Sequence, residues 1–265
     1  MTRQAMSVPN DEPRSRPWTQ NEAPRYWWHR LPGMDFVPPI YSDLSAEEWA
    51  IVRAWYEETD ANKLIGECAV PLISLLHGLV MGNRVTRIVQ LGTCSGYSSL
   101  LLGFMLRRMK ATKGLFTLDI NPDLCALTRR WIERAGLTNF VAVVEGDSRD
   151  PAALAAARAH FPADPEMILL DSSHEYEATL TELELWYPAL EAGGLFLLHD
   201  VSDFAAHFDV TGAGGVGRAL REWREKNPQA ETLCLNGESR SMDLPRPFYK
   251  DACGLGLIHK PGQPA

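Results

Sequence analysis

Short apolar runs alternate with longer stretches whose apolar positions recur every three or four residues, and this alternation organises the middle of the chain. The runs predict strands at 87–91, 115–119, 140–145, 166–171 and 194–199, and the stretches between them predict helices at 96–109, 122–135, 151–160 and 175–190. Strand and helix in strict alternation mean a parallel, doubly wound sheet. Gly193-Gly194, following Tyr187-Pro188-Ala189-Leu190, marks a helix stop before a buried strand. Two further runs, Glu231 to Leu235 and Gly254 to His259, supply the last strands of a seven-stranded, mostly parallel sheet. An amphipathic helix from Val216 to Lys226 precedes them. Ahead of the first strand, Ser45-Ala46-Glu47-Glu48 is a capping box that starts a helix running to about Glu58. Ile65, Ala69, Leu72, Leu76 and Leu79 recur at helical spacing and predict a second helix over 64–80. Three units follow: a Pro- and Trp-rich segment over 1–40, a helical extension over 41–82, and an α/β domain over 83–265.

Composition narrows the function. A chain of 265 residues, 45% of them hydrophobic, suits one large α/β core with an appendage. The formal charge of −8, with no Lys/Arg block, argues against nucleic acid and for a small-molecule partner. Five cysteines without paired metal spacing read as reduced thiols in a cytoplasmic protein. No apolar stretch approaches the roughly 20 residues of a membrane span.

The chemistry concentrates at predicted strand ends. Arg87 to Ser98 runs from a strand through Gly92-Thr93-Cys94-Ser95-Gly96 into a helix, a turn that suits a nucleotide-like ligand. Gly92 and Gly96 are expected to let the backbone approach that ligand, and Ser95 and Ser98 to hold a negatively charged group. The spacing matches neither a dinucleotide fingerprint nor a P-loop. Asp119 ends the second strand, where a carboxylate can accept from two ribose hydroxyls, and Asp147-Ser148 follows the third, suited to an adenine amino group.

With these residues in place, the chain resembles the class I S-adenosylmethionine-dependent methyltransferases over roughly residues 64 to 260. The Leu91-Gly92-Thr93-Cys94-Ser95-Gly96-Tyr97-Ser98 turn is similar to that of the catechol and caffeoyl-CoA O-methyltransferases. The run from Asp171 through Trp186 to His199-Asp200 resembles bacterial methyltransferases of sugars and other natural products. The resemblance implies a Rossmann-like sheet closed by a C-terminal antiparallel hairpin, S-adenosylmethionine as cofactor, and a homodimer. It implies cofactor contacts from Gly66, Gly92, Thr93, Ser95, Gly96, Ser98, Asp119, Asp147, Ser148 and Asp171. Gln90 departs from it, standing where the family usually carries an acid.

Asp171, His174, His199 and Asp200 follow the fourth and fifth strands and should open onto one crevice. His174, three residues past Asp171, is a candidate general base, with Asp171 and Asp200 beside it; the alternative is that it caps the following helix. Asp171, His199 and Asp200 map onto the metal ligands of the catechol group. They would hold Mg²⁺ or Mn²⁺, although imidazole in place of a carboxylate weakens the match to Mg²⁺. The alternative for His199-Asp200 is a strand end that only hydrogen-bonds its neighbours. The leading expectation is O-methylation of a small-molecule hydroxyl with His174 as base and optional metal help. Metal-independent N- or carboxyl-methylation, and a non-catalytic partner-binding protein of the same fold, are the alternatives. Phe204, His207 and Phe208 are expected on a loop that acts either as a substrate lid or as plain surface.

Overall fold

The structure is a computed structural model that describes residues 38–64, 67–68, 70–235, 249 and 251–262. Three helices lead the chain: α1 (Pro39–Ser42), α2 (Ala46–Ala61) and α3 (Val70–Asn83). The alternating core follows as β1 (Ile88–Leu91), α4 (Tyr97–Met109), β2 (Leu115–Asp119), α5 (Pro122–Arg134), β3 (Val141–Glu145), α6 (Pro151–His160), β4 (Met167–Leu170), α7 (Tyr176–Trp186) and β5 (Leu195–His199). A 3₁₀ turn (Ala205–Phe208), α8 (Gly215–Lys226), β6 (Glu231–Leu235) and β7 (Leu255–His259) complete it.

The seven strands are ordered β3-β2-β1-β4-β5-β7-β6. β1 pairs in parallel with both β2 and β4, and β7 runs antiparallel between β5 and β6. The expected mixed sheet with its closing hairpin is therefore present. Because the chain winds outward from β1 in one direction and returns through β4 in the other, the loops after β1 and β4 diverge and leave a crevice at the strand ends.

Side chains of β1 and β4 alternate between two cores. Ile88, Met167 and Leu169 face α1–α5, whereas Val89, Leu91, Ile168 and Leu170 face α6–α8. The first core continues into the leading helices through Tyr41, Trp55, Tyr56, Leu72 and Leu76, so these helices share the sheet's own core. The capping box forms, Ser45 Oγ accepting from Glu48 N at 3.2 Å and Glu48 Oε2 from Ser45 N at 3.0 Å. The Glu48 carboxylate is buried and also accepts from Arg107 and Arg108, which ties α2 to α4.

Boundaries moved where backbone chemistry overrides apolar spacing. The helix expected over 175–190 ends at Trp186, because Pro188 cannot continue the hydrogen-bond ladder and restricts the residue before it. The second leading helix, expected from residue 64, begins at Val70; Glu67 and Cys68 precede it without helical structure. Ile65, Gly66 and the segment before residue 38 lie outside the described residues. Among the described residues no helix is long and apolar enough to cross a membrane.

Candidate active site

The turn after β1 is built on backbone that few residues adopt: Gly92, Cys94 and Gly96 have φ of 94°, 47° and 89°. A Cβ on Gly92 would lie 2.0 Å from the Asp171 carbonyl oxygen, and one on Gly96 would meet the Thr128 side chain at 2.7 Å. The two glycines therefore serve close packing against the end of β4 and against α5, and Gly92 also lines a cavity at the strand ends. Gly92→Ala adds both the clash and the φ strain; it is expected to cost about 3 kcal/mol, read as a Tm lower by roughly 6–12 °C.

The turn's hydroxyls also point into protein. Thr93, Ser95 and Ser98 are buried. Thr93 Oγ1 lies 2.6 Å from Thr117 Oγ1, Ser98 Oγ accepts from Gln90 Nε2 at 2.8 Å, and Ser95 Oγ has no partner among the described residues. Ser95 and Ser98 are thus not presented to an anionic ligand, contrary to the sequence expectation. Gln90 explains its own departure from the family pattern. Its amide nitrogen donates to the Gly92 carbonyl at 2.8 Å while its oxygen accepts from Ser99 Oγ at 3.0 Å, and an ionised carboxylate could not do the first.

Asp119 clamps the turn from the neighbouring strand. Its Oδ2 accepts from the amides of Thr93 at 3.0 Å and Cys94 at 2.8 Å, and its Oδ1 from the Asn121 amide at 2.9 Å. It opens onto a cavity of about 670 Å³ at the strand ends, large enough for a nucleoside together with a small second molecule. Gly92, Asp147, Ser148 and Asp171 also line this cavity, as do His174, His199 and Asp200. Asp147 enters already paired: Arg149 Nη2 lies 2.6 Å from its Oδ2, and this hydrogen bond, more than any other contact, holds the carboxyl below its usual pKa.

On the far wall, Glu182 is buried and receives the hydroxyls of Ser148 and Ser172, which joins the tips of β3 and β4. Burial raises its pKa against those two hydrogen bonds. Sequence reading passed over Glu182 because a lone acid within a helix carries no signal of its own.

The deepest part is a chain of carboxylates and imidazoles. His174 Nδ1 lies 2.7 Å from Asp200 Oδ2. Both residues occupy left-handed backbone, φ 62° and 63°, a strain concentrated on the two partners of this pair. Burial would depress the His174 pKa, but the hydrogen bond and charge of Asp200, with the charge of Asp171, outweigh it and raise the pKa above the usual histidine value. Phe208 packs edge-on against the His174 ring with centroids 5.9 Å apart, and Phe204 packs on Phe208.

His199 faces Asp171 Oδ1 through Nδ1 at 3.2 Å and Asp251 Oδ2 through Nε2 at 3.1 Å. Its pKa lies well above the ordinary value, since the charges and hydrogen bonds of Asp171, Asp251 and Asp200 outweigh a burial that would lower it. Asp171 is correspondingly lowered, despite burial, by the charge and hydrogen bond of His199. Asp251 was missed by sequence reading. It precedes β7, and only the antiparallel register, with His199 opposite Leu255, brings that turn to the end of β5.

The structure thus brings together Asp171, His199 and Asp200, the three residues nominated for a cation, but His199 arrives with both nitrogens facing carboxylates. Asp171, His174 and Asp200 also offer donor atoms within 4.8 Å of one another, although an ion there would separate His174 from Asp200.

Residues 89–201, which carry every one of these strand ends except the Asp251 turn, match the family model described as a methyltransferase domain. Over that span the chain is similar to the class I methyltransferases. A catechol O-methyltransferase from Niastella koreensis is 28% identical over 147 residues, covering 53% of this chain and 63% of that protein. Against five curated catechol O-methyltransferases the matched part spans 22% to 63% of each one's length. Among solved structures, the O-methyltransferase from Bacillus cereus in complex with SAH has a TM-score of 0.64 at 18% identity, covering 83% of this chain and 94% of that one. The O-methyltransferase involved in tomaymycin synthesis from Streptomyces achromogenes, in complex with SAM, has a TM-score of 0.58 at 18% identity, covering 83% and 91%. At that identity the two structures speak for the methyltransferase fold.

Proposed function

We propose that the protein is an S-adenosylmethionine-dependent O-methyltransferase that acts on a hydroxyl of a small metabolite or natural product. The observation that carries this reading is the His174–Asp200 pair, 2.7 Å apart, on the wall of a switch-point cavity that also exposes Asp119 and Asp147. The cofactor's expected neighbours fit a nucleoside: Asp119 stands at the tip of β2 for the ribose, and Asp147 with Ser148 follows β3 for the base. When bound, S-adenosylmethionine supplies an electrophilic methyl group on a sulfonium sulfur.

The protein's work is then alignment and proton removal. Asp200 accepts the His174 Nδ1 proton, which fixes the ring and leaves Nε2 as the lone pair for the acceptor hydroxyl. This is the Asp–His logic of an oriented imidazole base. As the acceptor hydroxyl takes the methyl group, its proton would pass to His174 Nε2. Phe208, half-exposed beside the imidazole, gives the acceptor an apolar surface next to its reacting oxygen. No step of this scheme needs a metal ion.

Calorimetric titration of S-adenosylmethionine and S-adenosylhomocysteine into the purified protein tests the cofactor. Micromolar binding, about −8 kcal/mol, is expected for both, followed by methyl transfer to members of a phenol and sugar-alcohol panel. A protein that binds neither is not a methyltransferase.

A further inference from the structure

The geometry points to His199 as a resident cation that takes the place of a divalent metal ion at the base of the cavity, bridging Asp171 and Asp251. It rests on the methyltransferase reading only for what the site is for; the hydrogen-bond pattern stands without it. Each nitrogen of the ring lies against a carboxylate oxygen, Nδ1 at 3.2 Å from Asp171 and Nε2 at 3.1 Å from Asp251. With Asp171 and Asp251 both ionised they offer only acceptors, so a ring that bonds both must donate from both nitrogens, which makes it the imidazolium. A neutral ring would set a lone pair against one of the anions.

Asp200 Oδ2 adds a third negative group 3.6 Å from Nδ1. Asp200 and Asp251 are only 3% and 1% exposed, so water cannot balance this charge. Buried ionised carboxylates in such number are stabilised by a cation beside them, and His199 is placed where it serves all three.

The surroundings are built for the bridge. The Cys253 amide donates to Asp251 Oδ1 at 3.0 Å and the Tyr249 hydroxyl to its Oδ2 at 3.4 Å, so Asp251 is aimed at His199 by two further bonds. On the other side the Cys68 thiol lies 3.8 Å from Asp171 Oδ2. With Asp171 held by the imidazolium, Asp200 is left to orient His174. A dipositive ion brought among these groups would face a positive ring and find no vacant nitrogen on it. His199 in a position where the catechol-type pattern carries a hard oxygen ligand is thus an exchange of one positive centre for another.

The experiment uses Mn²⁺ as the probe, followed by electron paramagnetic resonance on the full chain without cofactor. The native protein is expected to hold no stoichiometric Mn²⁺ and, in assays, to be indifferent to EDTA. His199→Glu rebuilds an all-oxygen set with Asp171 and Asp200, and pairing it with Asp251→Asn removes the carboxylate that would otherwise lose its partner. The double variant should bind Mn²⁺ at least about 100-fold more tightly than the native protein. Should the double variant fail to fold, ¹⁵N-histidine spectra of the native protein decide alone: both His199 nitrogens protonated at pH 8 supports the bridge, a neutral ring overturns it. One tightly bound Mn²⁺ per native chain, or a folded double variant without gain in affinity, would also overturn it. These readouts need no methyl transfer, so a failure here is separate from a protein that binds no S-adenosylmethionine.

Discussion

His174→Ala is expected to lower kcat by about 10²- to 10⁴-fold while S-adenosylhomocysteine still binds, because the variant loses the proton acceptor and keeps the nucleoside wall. The pH profile separates this role from a helix cap. A base must be neutral to act, and Asp200 stabilises the protonated ring, so kcat/KM should rise with pH through an apparent pKa above 6.5. Asp200→Asn removes the negative charge but keeps an oxygen for Nδ1. Burial then dominates, and the same limb should move to lower pH while the rate falls about 10-fold or more. A structural role for His174 predicts neither the limb nor its movement: His174→Ala would lower Tm and leave the pH profile of the surviving activity in place. Stopped-time assays from pH 5 to 9 on the three proteins distinguish the two.

Why these residues could be nominated in advance, and others could not, follows from what kind of contact makes each of them. Strand ends in a parallel doubly wound sheet all open on one side, so an acid or histidine immediately after a predicted strand is placed by periodicity alone. Asp119, Asp147, Asp171, His174, His199 and Asp200 all line the cavity for that reason. Asp251 was hidden because its neighbour, His199, is 52 positions away and is reached only through the β5–β7 register. Glu182 was hidden because it acts through two serine hydroxyls on separate loops. The serines of the first turn were over-read. Sequence shows that Ser95 and Ser98 flank a glycine but not which way a hydroxyl turns, and in the fold Gln90 and the buried interior take both. The Trp55 indole, donating to the Ser95 carbonyl at 2.8 Å, shows the turn also braced from behind by α2, a contact no local pattern reveals.

Asp119 carries two duties that its variants should pull apart. Its carboxylate holds the β1–α4 turn through the Thr93 and Cys94 amides, and under the proposed function it also receives the ribose hydroxyls. Asp119→Ala removes both. The freed amides lie beside an open cavity that solvent can reach, which limits the loss to about 2 kcal/mol of stability. Cofactor affinity should nevertheless fall 100-fold or more, since the turn loses its anchor and the ribose its acceptor. Asp119→Asn keeps one oxygen, which can continue to accept from Thr93 and Cys94, but its amide group turns a donor toward the Asn121 amide and the ribose side. The asparagine variant should therefore unfold close to the native midpoint and yet bind S-adenosylhomocysteine far more weakly than the native protein. Calorimetry and thermal denaturation on the pair give four numbers. If Asp119→Asn binds normally, the carboxylate is an anchor alone and the ribose contact must come from elsewhere on the cavity wall. If it binds weakly at native stability, recognition of the ribose belongs to the second oxygen.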